Sequence, residues 1–530
     1  MPLATALIIA AAAYAAKGKD EAKNSDGDNG SGQEPDITPA FLEGKTPIEL
    51  LPLEQKLTIF EHPISTVSFY ECPPSTNTNV LIRKLQSRVE IILKANPWLG
   101  GWLVRGKGVG SFDNTHRLWY DPTGEEMAPT IFQHLSFKDA PLRKSTELVD
   151  YEDILSKSAA LVKDNPLIVN RKGEPLFRVT VILEPRDALD SAAVEVTNGN
   201  EETDDSRMGG FALVVSMSHV CGDAHTYYRI YNMLLGLTPV TALISQRELE
   251  FSTRVMDLMG KQEAHYVSHI TTDPAWAKLF RLSSDVNDDP EAELQGRMFL
   301  VNRHWVGNIK AQSLASGNIS DVCKSTLRSP MSNAFVYELE SSQNPTQSTN
   351  DILVSWFWNA VKPDVGMMAV NLRDRIGVVS NNHVGNYNNP ISYTQEDYKT
   401  PQLIRESLRS CKRSGVAEEN GVPTVLPRAH PGLSFSIVTN WSSFRPLSDT
   451  RIIEEDDDDS EWNRNDQLIF VRHVPLMYPK QMLKSMPRRM SFMVIFSSGE
   501  EDIGCFLAAP GRVMKEVDSC GLVKEMLAQF

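Results

Sequence analysis

The amino-acid sequence predicts an α/β fold in two large domains, and three observations carry that expectation. At 530 residues the chain is too long for one core, while its 41% hydrophobic content is ordinary for a globular protein. Phe211 to Leu234, FALVVSMSHVCGDAHTYYRIYNML, begins as an apolar run suited to a buried strand and ends with Tyr227, Ile230 and Leu234 on one helical face. Strand-like and helix-like patterns of this kind alternate through both halves of the chain.

At the N-terminus, Pro2 to Ala16 is an alanine-rich apolar run containing Ala13-Tyr14-Ala15, which looks like a small-residue cleavage site. It lacks a basic n-region and is shorter than the roughly 20 residues of a membrane-spanning helix, so a weak anchor, a targeting segment and a frayed helix stay open. Lys17 to Pro39 is rich in Gly, Ser, Asp and Asn and reads as a disordered linker, so residues 1–45 are set apart from the folded chain. The first domain is expected over residues 46–236. It opens with the alternating strand STVSFYE, followed by a helix with Val80, Leu81, Leu85, Val89, Ile92 and Leu93 on one face. Asn96-Pro97 should end that helix, with Trp98 to Val104 as the next strand, and FRVTVILE (Phe177 to Glu184) as a further one. Residues 237–297, helical fragments with polar breaks, read as a crossover. The second domain is expected over residues 298–530: a strand near Met298, a helix from Ser348 to Val361, the basic helix LIRESLRSCKRSG, the strand LSFSIVTNWSSF, and a closing helix from Gly511 to Leu527.

The formal net charge is -15, but two acidic clusters, Glu201 to Asp205 and Glu454 to Asp459, supply ten of the negative charges. The acidity is therefore local, and it argues against a nucleic-acid partner. Six cysteines lie far apart, without CxxC or zinc-type spacing, which suits reduced thiols in a cytoplasmic protein with no metal. No internal repeat and no phosphate-cradling GxGxxG or GxxxxGK[ST] pattern is present.

The chemistry is concentrated at the bend between the strand and the helix of the opening segment. His219 ends the strand, where partial desolvation makes its proton affinity tunable, and Asp223 stands four positions on where the helix begins. On these residues alone Asp223 reads as an N-cap and His219 as a core histidine. Gly222 is expected to let the chain turn sharply between them.

Several blocks, in order, resemble the CoA-dependent acyltransferases with the chloramphenicol-acetyltransferase fold, most nearly the BAHD branch. His219-Val220-Cys221-Gly222-Asp223 matches the H-x-x-x-D motif, LIRKLQSRVEIILKANPWLGGWLV the N-terminal helix and strand, AVNLRDRI with VGNYNNPI the arginine and G-N segment, and Thr439-Asn440-Trp441 the T-S-W strand end. Two departures stand out. Ala224 follows Asp223 where the family usually has glycine, and the D-F-G-W-G block is absent, replaced by an acidic run and QLIFVRHVPL.

The resemblance implies two chloramphenicol-acetyltransferase-like domains, each a mixed sheet flanked by helices, with an active-site channel at their interface. It also implies acyl transfer from acyl-CoA, as co-substrate with no resident cofactor, to a hydroxyl or amine of a small-molecule acceptor. His219 would be the general base, Asp223 would hold the bend by pairing with Arg373, or failing that Arg375, and Thr439 would donate to the oxyanion with Trp441 as a channel wall. Cys221 raises a rival route through a thiolate nucleophile. The basic face of Arg405, Arg409, Lys412 and Arg413 and the cluster Lys480, Lys484, Arg488 and Arg489 are candidates for the CoA phosphates. A monomer is expected, with membrane association open only through the N-terminal segment. Two other readings remain: a condensation or ester-synthase type enzyme with a carrier-bound donor, and a non-catalytic ligand-binding member of the fold.

Overall fold

The computed structural model describes residues 42–55, 63–73, 77–105, 116–126, 128–163, 174–185, 208–272, 275–276, 293–316, 347–413, 426–430, 432–444, 468–477, 483, 486, 489–499 and 501–530. The expectations for Pro2 to Ala16, Lys17 to Pro39, both acidic clusters, and Lys480, Lys484 and Arg488 lie outside the described residues.

The first half holds β1 (Thr46–Glu49), β2 (Ile64–Glu71), α1 (Thr78–Ala95), β3 (Trp102–Arg105), β4 (His116–Tyr120), β5 (Phe132–Leu135), α2 (Leu148–Lys157), β6 (Phe177–Pro185), β7 (Met208–Met217) and α3 (Ala224–Leu234). α1 starts at Asn77, whose side chain accepts from the amides of Asn79 and Val80, and it buries the apolar face that its spacing predicts. Between α1 and β3 the chain departs from the expected strand. Pro97 opens a short 3-10 turn, Pro97–Gly100, because its fixed φ suits a first helical position, and extended structure begins only at Trp102.

Next come α4 (Phe251–Met259), α5 (Lys261–Thr272), β8 (Leu294–Val301), α6 (Arg303–Ser316), α7 (Thr349–Val361), β9 (Val365–Asn371), β10 (Asn388–Tyr393), α8 (Pro401–Ser410), β11 (Phe435–Trp441), β12 (Ile469–Pro475), β13 (Met490–Ser497), β14 (Ile503–Pro510), α9 (Gly511–Ser519) and β15 (Val523–Gln529). The closing helix is thus shorter than expected. It stops at Ser519, Gly521 takes a left-handed φ of +79° that a helix cannot continue through, and the last residues become a strand paired with β8.

The described residues form three sheets. β1, β4 and β3 form a small antiparallel sheet; a five-stranded sheet runs in the order β12-β2-β7-β6-β5; a seven-stranded sheet runs β10-β9-β11-β13-β14-β8-β15. Both large sheets are mixed: β5 is parallel to β6 among antiparallel neighbours, and β11 is parallel to both β9 and β13. β12 leaves the second half of the chain and pairs antiparallel with β2, from Ile469 opposite Glu71 to Pro475 opposite Thr66.

The two faces of the seven-stranded sheet serve different cores. On β11 and β13, Phe435, Ile437, Trp441, Phe492, Val494 and Phe496 join one core with β2, β7, α1 and α3, while Val438, Met493 and Ile495 join a second core with α7. The period of two in a strand makes this division, and it aims one face of β11 at the five-stranded sheet and the helix that follows β7.

Candidate active site

β7 is the middle strand of its sheet, between β2 and β6, and Phe211 to Met217 are buried throughout, which explains the unbroken apolar run. Past Met217 the ladder ends. Ser218 donates its amide to the Leu176 carbonyl at 2.7 Å, the Cys221 amide closes a turn on the Ser218 carbonyl at 3.0 Å, and Asp223 caps α3 by accepting from the Thr226 amide at 3.1 Å. Gly222 has a different role from the one expected. Its φ is not left-handed, so the turn does not require it; a Cβ there would lie 2.6 Å from the Thr226 side chain. Glycine is needed for close approach, which keeps the Thr226 hydroxyl between Asp223 and Gly385.

Asp223 and Arg373 are both 3% exposed and meet in a two-pronged ion pair, at 2.8 Å (Nη1 to Oδ2) and 3.1 Å (Nη2 to Oδ1). The rest of the guanidinium is also satisfied: Nε donates to the His383 carbonyl at 2.9 Å, Nη2 to the Gly385 carbonyl at 2.8 Å, and the group lies 5.1 Å over the Tyr387 ring. Asn388 adds a donor to Asp223 Oδ2 at 3.3 Å. Burial pushes the Asp223 carboxyl up, but the charge and hydrogen bonds of Arg373 outweigh it and hold the pKa below the ordinary value. Arg375 is elsewhere, donating to the Leu408 carbonyl at 2.6 Å and touching Cys411 Sγ.

His219 is 1% exposed and makes no hydrogen bond to Asp223. Its Nδ1 faces Asn386 Oδ1 at 3.2 Å, while Asn386 Nδ2 donates to the His219 carbonyl at 2.9 Å and to Glu54 Oε1 at 3.0 Å. Both amide hydrogens of Asn386 are thereby used on groups that only accept. Its oxygen must be the atom facing the ring, so Nδ1 carries the imidazole proton and Nε2 the lone pair. Nε2 is buried and has no hydrogen-bond partner among the described residues. Burial lowers the pKa of His219 well below the ordinary value, with the Asp223 charge and hydrogen bonds to Asn386 and to the residue's own backbone opposing it, so the ring is neutral.

Behind this contact lies a second buried pair. Glu54 is 0% exposed, accepts from the Leu51 amide and from Arg247 Nε at 3.0 Å on one oxygen, and from the backbone and side chain of Asn386 on the other. Arg247 spreads its remaining donors over the carbonyls of Ser245, Val384, Val220 and Cys221. Asn386, Glu54 and Arg247 were not among the candidates read from the sequence. Asn386 stands in the VGNYNNPI block that carried part of the resemblance, whereas Glu54, in the stretch LPLEQKL, gave no signal.

Thr439 is 2% exposed on β11 and makes no hydrogen bond to the His219 network. It falls between Ile437 and Trp441 on the strand face that meets the core of the five-stranded sheet. Trp441 lies edge-on to Tyr228 of α3, ring centres 6.4 Å apart, and Phe444 stacks on the same tyrosine at 5.0 Å, so the end of β11 is docked on the helix that follows the motif. Tyr228 also bonds His473 Nε2 at 3.0 Å, and Ser68 bonds Nδ1 of that histidine at 2.8 Å.

Cys221 is fully buried, and burial pushes its thiol up to about 12, which leaves no useful thiolate at neutral pH. The candidate phosphate-binding face along α8 and the residues just after it is half occupied. Arg405 ties α8 to α7 by pairing with Asp351 at 2.6 Å, Arg413 just past α8 pairs with Glu263 of α5 at 2.6 Å, and of the four only Arg409 and Lys412 are exposed. Arg489 donates to the Gly432 carbonyl. Among the described residues no cysteine forms a disulfide, no group of three or more His, Cys, Asp or Glu is placed to hold a metal ion, and no helix is long and apolar enough to cross a membrane.

No protein-family model and no curated protein sequence matches the chain. Solved structures do match in shape. TRI101 of F. sporotrichioides, complexed with coenzyme A and T-2, superposes with a TM-score of 0.50 at 12% identity, over 91% of this chain and 100% of that one. TRI101 of F. graminearum, complexed with coenzyme A and deoxynivalenol, gives a TM-score of 0.50 at 11% identity over the same shares. These likenesses establish the architecture: the chain has the two-domain, chloramphenicol-acetyltransferase-like α/β fold, with mixed sheets flanked by helices.

Proposed function

We propose that the protein is an acyltransferase that moves an acyl group from acyl-CoA to a hydroxyl or amine of a small molecule, with His219 as general base. The observation that carries this reading is the buried His219 Nε2, a lone pair in a fixed tautomer with no partner among the described residues. A core histidine would satisfy both ring nitrogens, as His473 does. Both TRI101 structures described above are complexes with coenzyme A and a second small molecule, which supports the same two co-substrates here.

In the proposed reaction His219 Nε2 takes the acceptor proton as the acceptor oxygen or nitrogen attacks the thioester carbonyl. The tetrahedral intermediate then collapses, the carbon–sulfur bond breaks, and the CoA thiolate leaves with the proton returned from Nε2. The low proton affinity that burial imposes keeps the base unprotonated before attack and makes the imidazolium a willing acid afterwards. Thr439 is proposed as the oxyanion donor, on the β11 face that Trp441 docks against α3. Asp223 and Arg373 act at a distance by holding the bend.

The test is free-thiol release from a panel of acyl-CoAs with candidate alcohols and amines, for wild type and His219→Ala. Removal of a positioned base should lower the rate by about 10²–10⁴-fold. Thiol release that His219→Ala leaves unchanged would refute the role of the base.

A further inference from the structure

The HxxxD histidine has a carboxylate four residues away that it does not touch, and a carboxylate far outside the motif that reaches it through one amide. Glu54 stands 332 residues before Asn386, and Asn386 is 167 residues beyond His219, yet the three side chains form one continuous hydrogen-bonded line. We propose that Glu54 is a positioning residue for His219: it dictates the orientation of the Asn386 amide, and through it the tautomer in which the imidazole presents its lone pair to substrate. This rests on the reading of His219 as the base.

The geometry leaves little freedom. An amide can be turned end for end at small cost unless its neighbours distinguish oxygen from nitrogen. Here the neighbours are a carboxylate oxygen and the His219 carbonyl, and both only accept. A turned Asn386 would set its oxygen against Glu54 Oε1 and leave a buried donor without an acceptor, so the carboxylate selects the orientation observed. Glu54 is itself committed. One oxygen holds the Leu51 amide and Arg247, and the other holds the backbone and side-chain nitrogens of Asn386, so it accepts at both ends and has no donor to offer.

Arg247 explains why the effect is orientation rather than charge. It neutralises Glu54 at 3.0 Å inside the protein, and its other donors clasp the Val220 and Cys221 carbonyls of the motif loop. The pair is net neutral, so it holds loop, amide and ring in one frame without placing an uncompensated anion beside the imidazole. In serine-protease triads the orienting carboxylate bonds Nδ1 directly. Here an amide stands between the two, and the carboxylate acts on the ring by fixing that amide.

Glu54→Gln tests the proposal, because the new side chain has a donor end where only acceptors stood, which weakens the preference of Asn386 for its orientation and leaves only the His219 carbonyl to hold it. The tautomer of His219 is read by ¹⁵N NMR of protein labelled at histidine, with the resonance assigned by its loss in His219→Ala. Wild type should show the Nδ1–H form. Glu54→Gln should shift the ring toward the Nε2–H form and lower kcat by about 10²–10⁴-fold, with KM for both substrates little changed. A folded Glu54→Gln with the wild-type tautomer and kcat overturns the proposal. If Arg247 left without its counter-charge prevents folding, Glu54→Gln/Arg247→Gln removes that charge as well. If neither variant folds, Asn386→Ala, which keeps Glu54 and Arg247 paired, must weaken the tautomer preference, and an unchanged Nδ1–H signal overturns the proposal. The two readings fail separately. A tautomer that changes in a protein with no acyl-transfer activity sinks the function and keeps Glu54, while turnover lost in His219→Ala but intact in Glu54→Gln does the reverse.

Discussion

Asp223 can be separated into its two structural jobs by one substitution. As an N-cap it accepts from the Thr226 amide, a contribution of about 0.5–2 kcal/mol that asparagine would largely retain. As an anion it meets Arg373 at 2.8 and 3.1 Å, with both residues 3% exposed, and removing one member of such a buried pair costs about 3–5 kcal/mol because the other charge is left in a poor solvent. Asp223→Asn preserves shape and cap and removes only the charge, so it should cost about 3 kcal/mol or more in urea unfolding. Arg373→Met should cost a similar amount, and the double variant should cost less than the two singles together, with a coupling of about 2 kcal/mol. The pH dependence has a definite sign. The folded pKa of Asp223 is depressed, so its stabilisation is complete above the unfolded value of 3.8 and is lost as pH falls through the lower folded value. If Asp223→Asn unfolds within about 0.5 kcal/mol of wild type, the capping bond is the whole contribution and the ion-pair reasoning is wrong.

Other outcomes follow from the same structure. His473 is fully buried with its pKa lowered by burial from 6.5 to about 3, so the unfolded chain takes up the proton first and stability falls as the pH drops below 6.5. Between about pH 7 and pH 5 this amounts to about 2 kcal/mol, and a His473→Gln protein should show an acid-dependent loss smaller by that much in paired denaturation curves. Cys221→Ala should keep its turnover, and the wild-type thiol should resist iodoacetamide at neutral pH, because burial pushes its pKa to about 12. Gly222→Ala should cost about 1–3 kcal/mol by thermal or urea unfolding, since the added methyl would lie 2.6 Å from the Thr226 side chain.

What was legible in the sequence was local. The switch from an apolar run to helical spacing located β7, the bend and α3, and the basic run that follows β9 marked Arg373 through the resemblance. What escaped was decided by partners distant in sequence. Arg405 and Arg413 looked like an open cationic face because their partners, Asp351 and Glu263, lie in other helices. QLIFVRHVPL looked like a replacement for a missing motif, while its strand pairs with β2 some four hundred residues earlier, as the separation of 405 between Ser68 and His473 shows. Glu54 had no chance of notice, since a carboxylate in an amphipathic stretch is ordinarily solvated and only tertiary packing makes it buried. Gly222 was given the commoner reason for a glycine at a bend, and the structure substitutes a steric one.

The β12 strand has a consequence for the order of assembly. The five-stranded sheet lacks its edge until the chain has supplied residues 469–475, so Tyr228 waits for a His473 partner that stands 245 residues further on. During that interval β2 carries an open hydrogen-bonding edge beside the nascent motif, the kind of edge that recruits a neighbouring chain. Truncations that stop short of β12 should therefore aggregate rather than yield a smaller folded unit, and solubility across a truncation series should rise abruptly once β12 is included. A strand from far down the chain thus completes a sheet begun by β2.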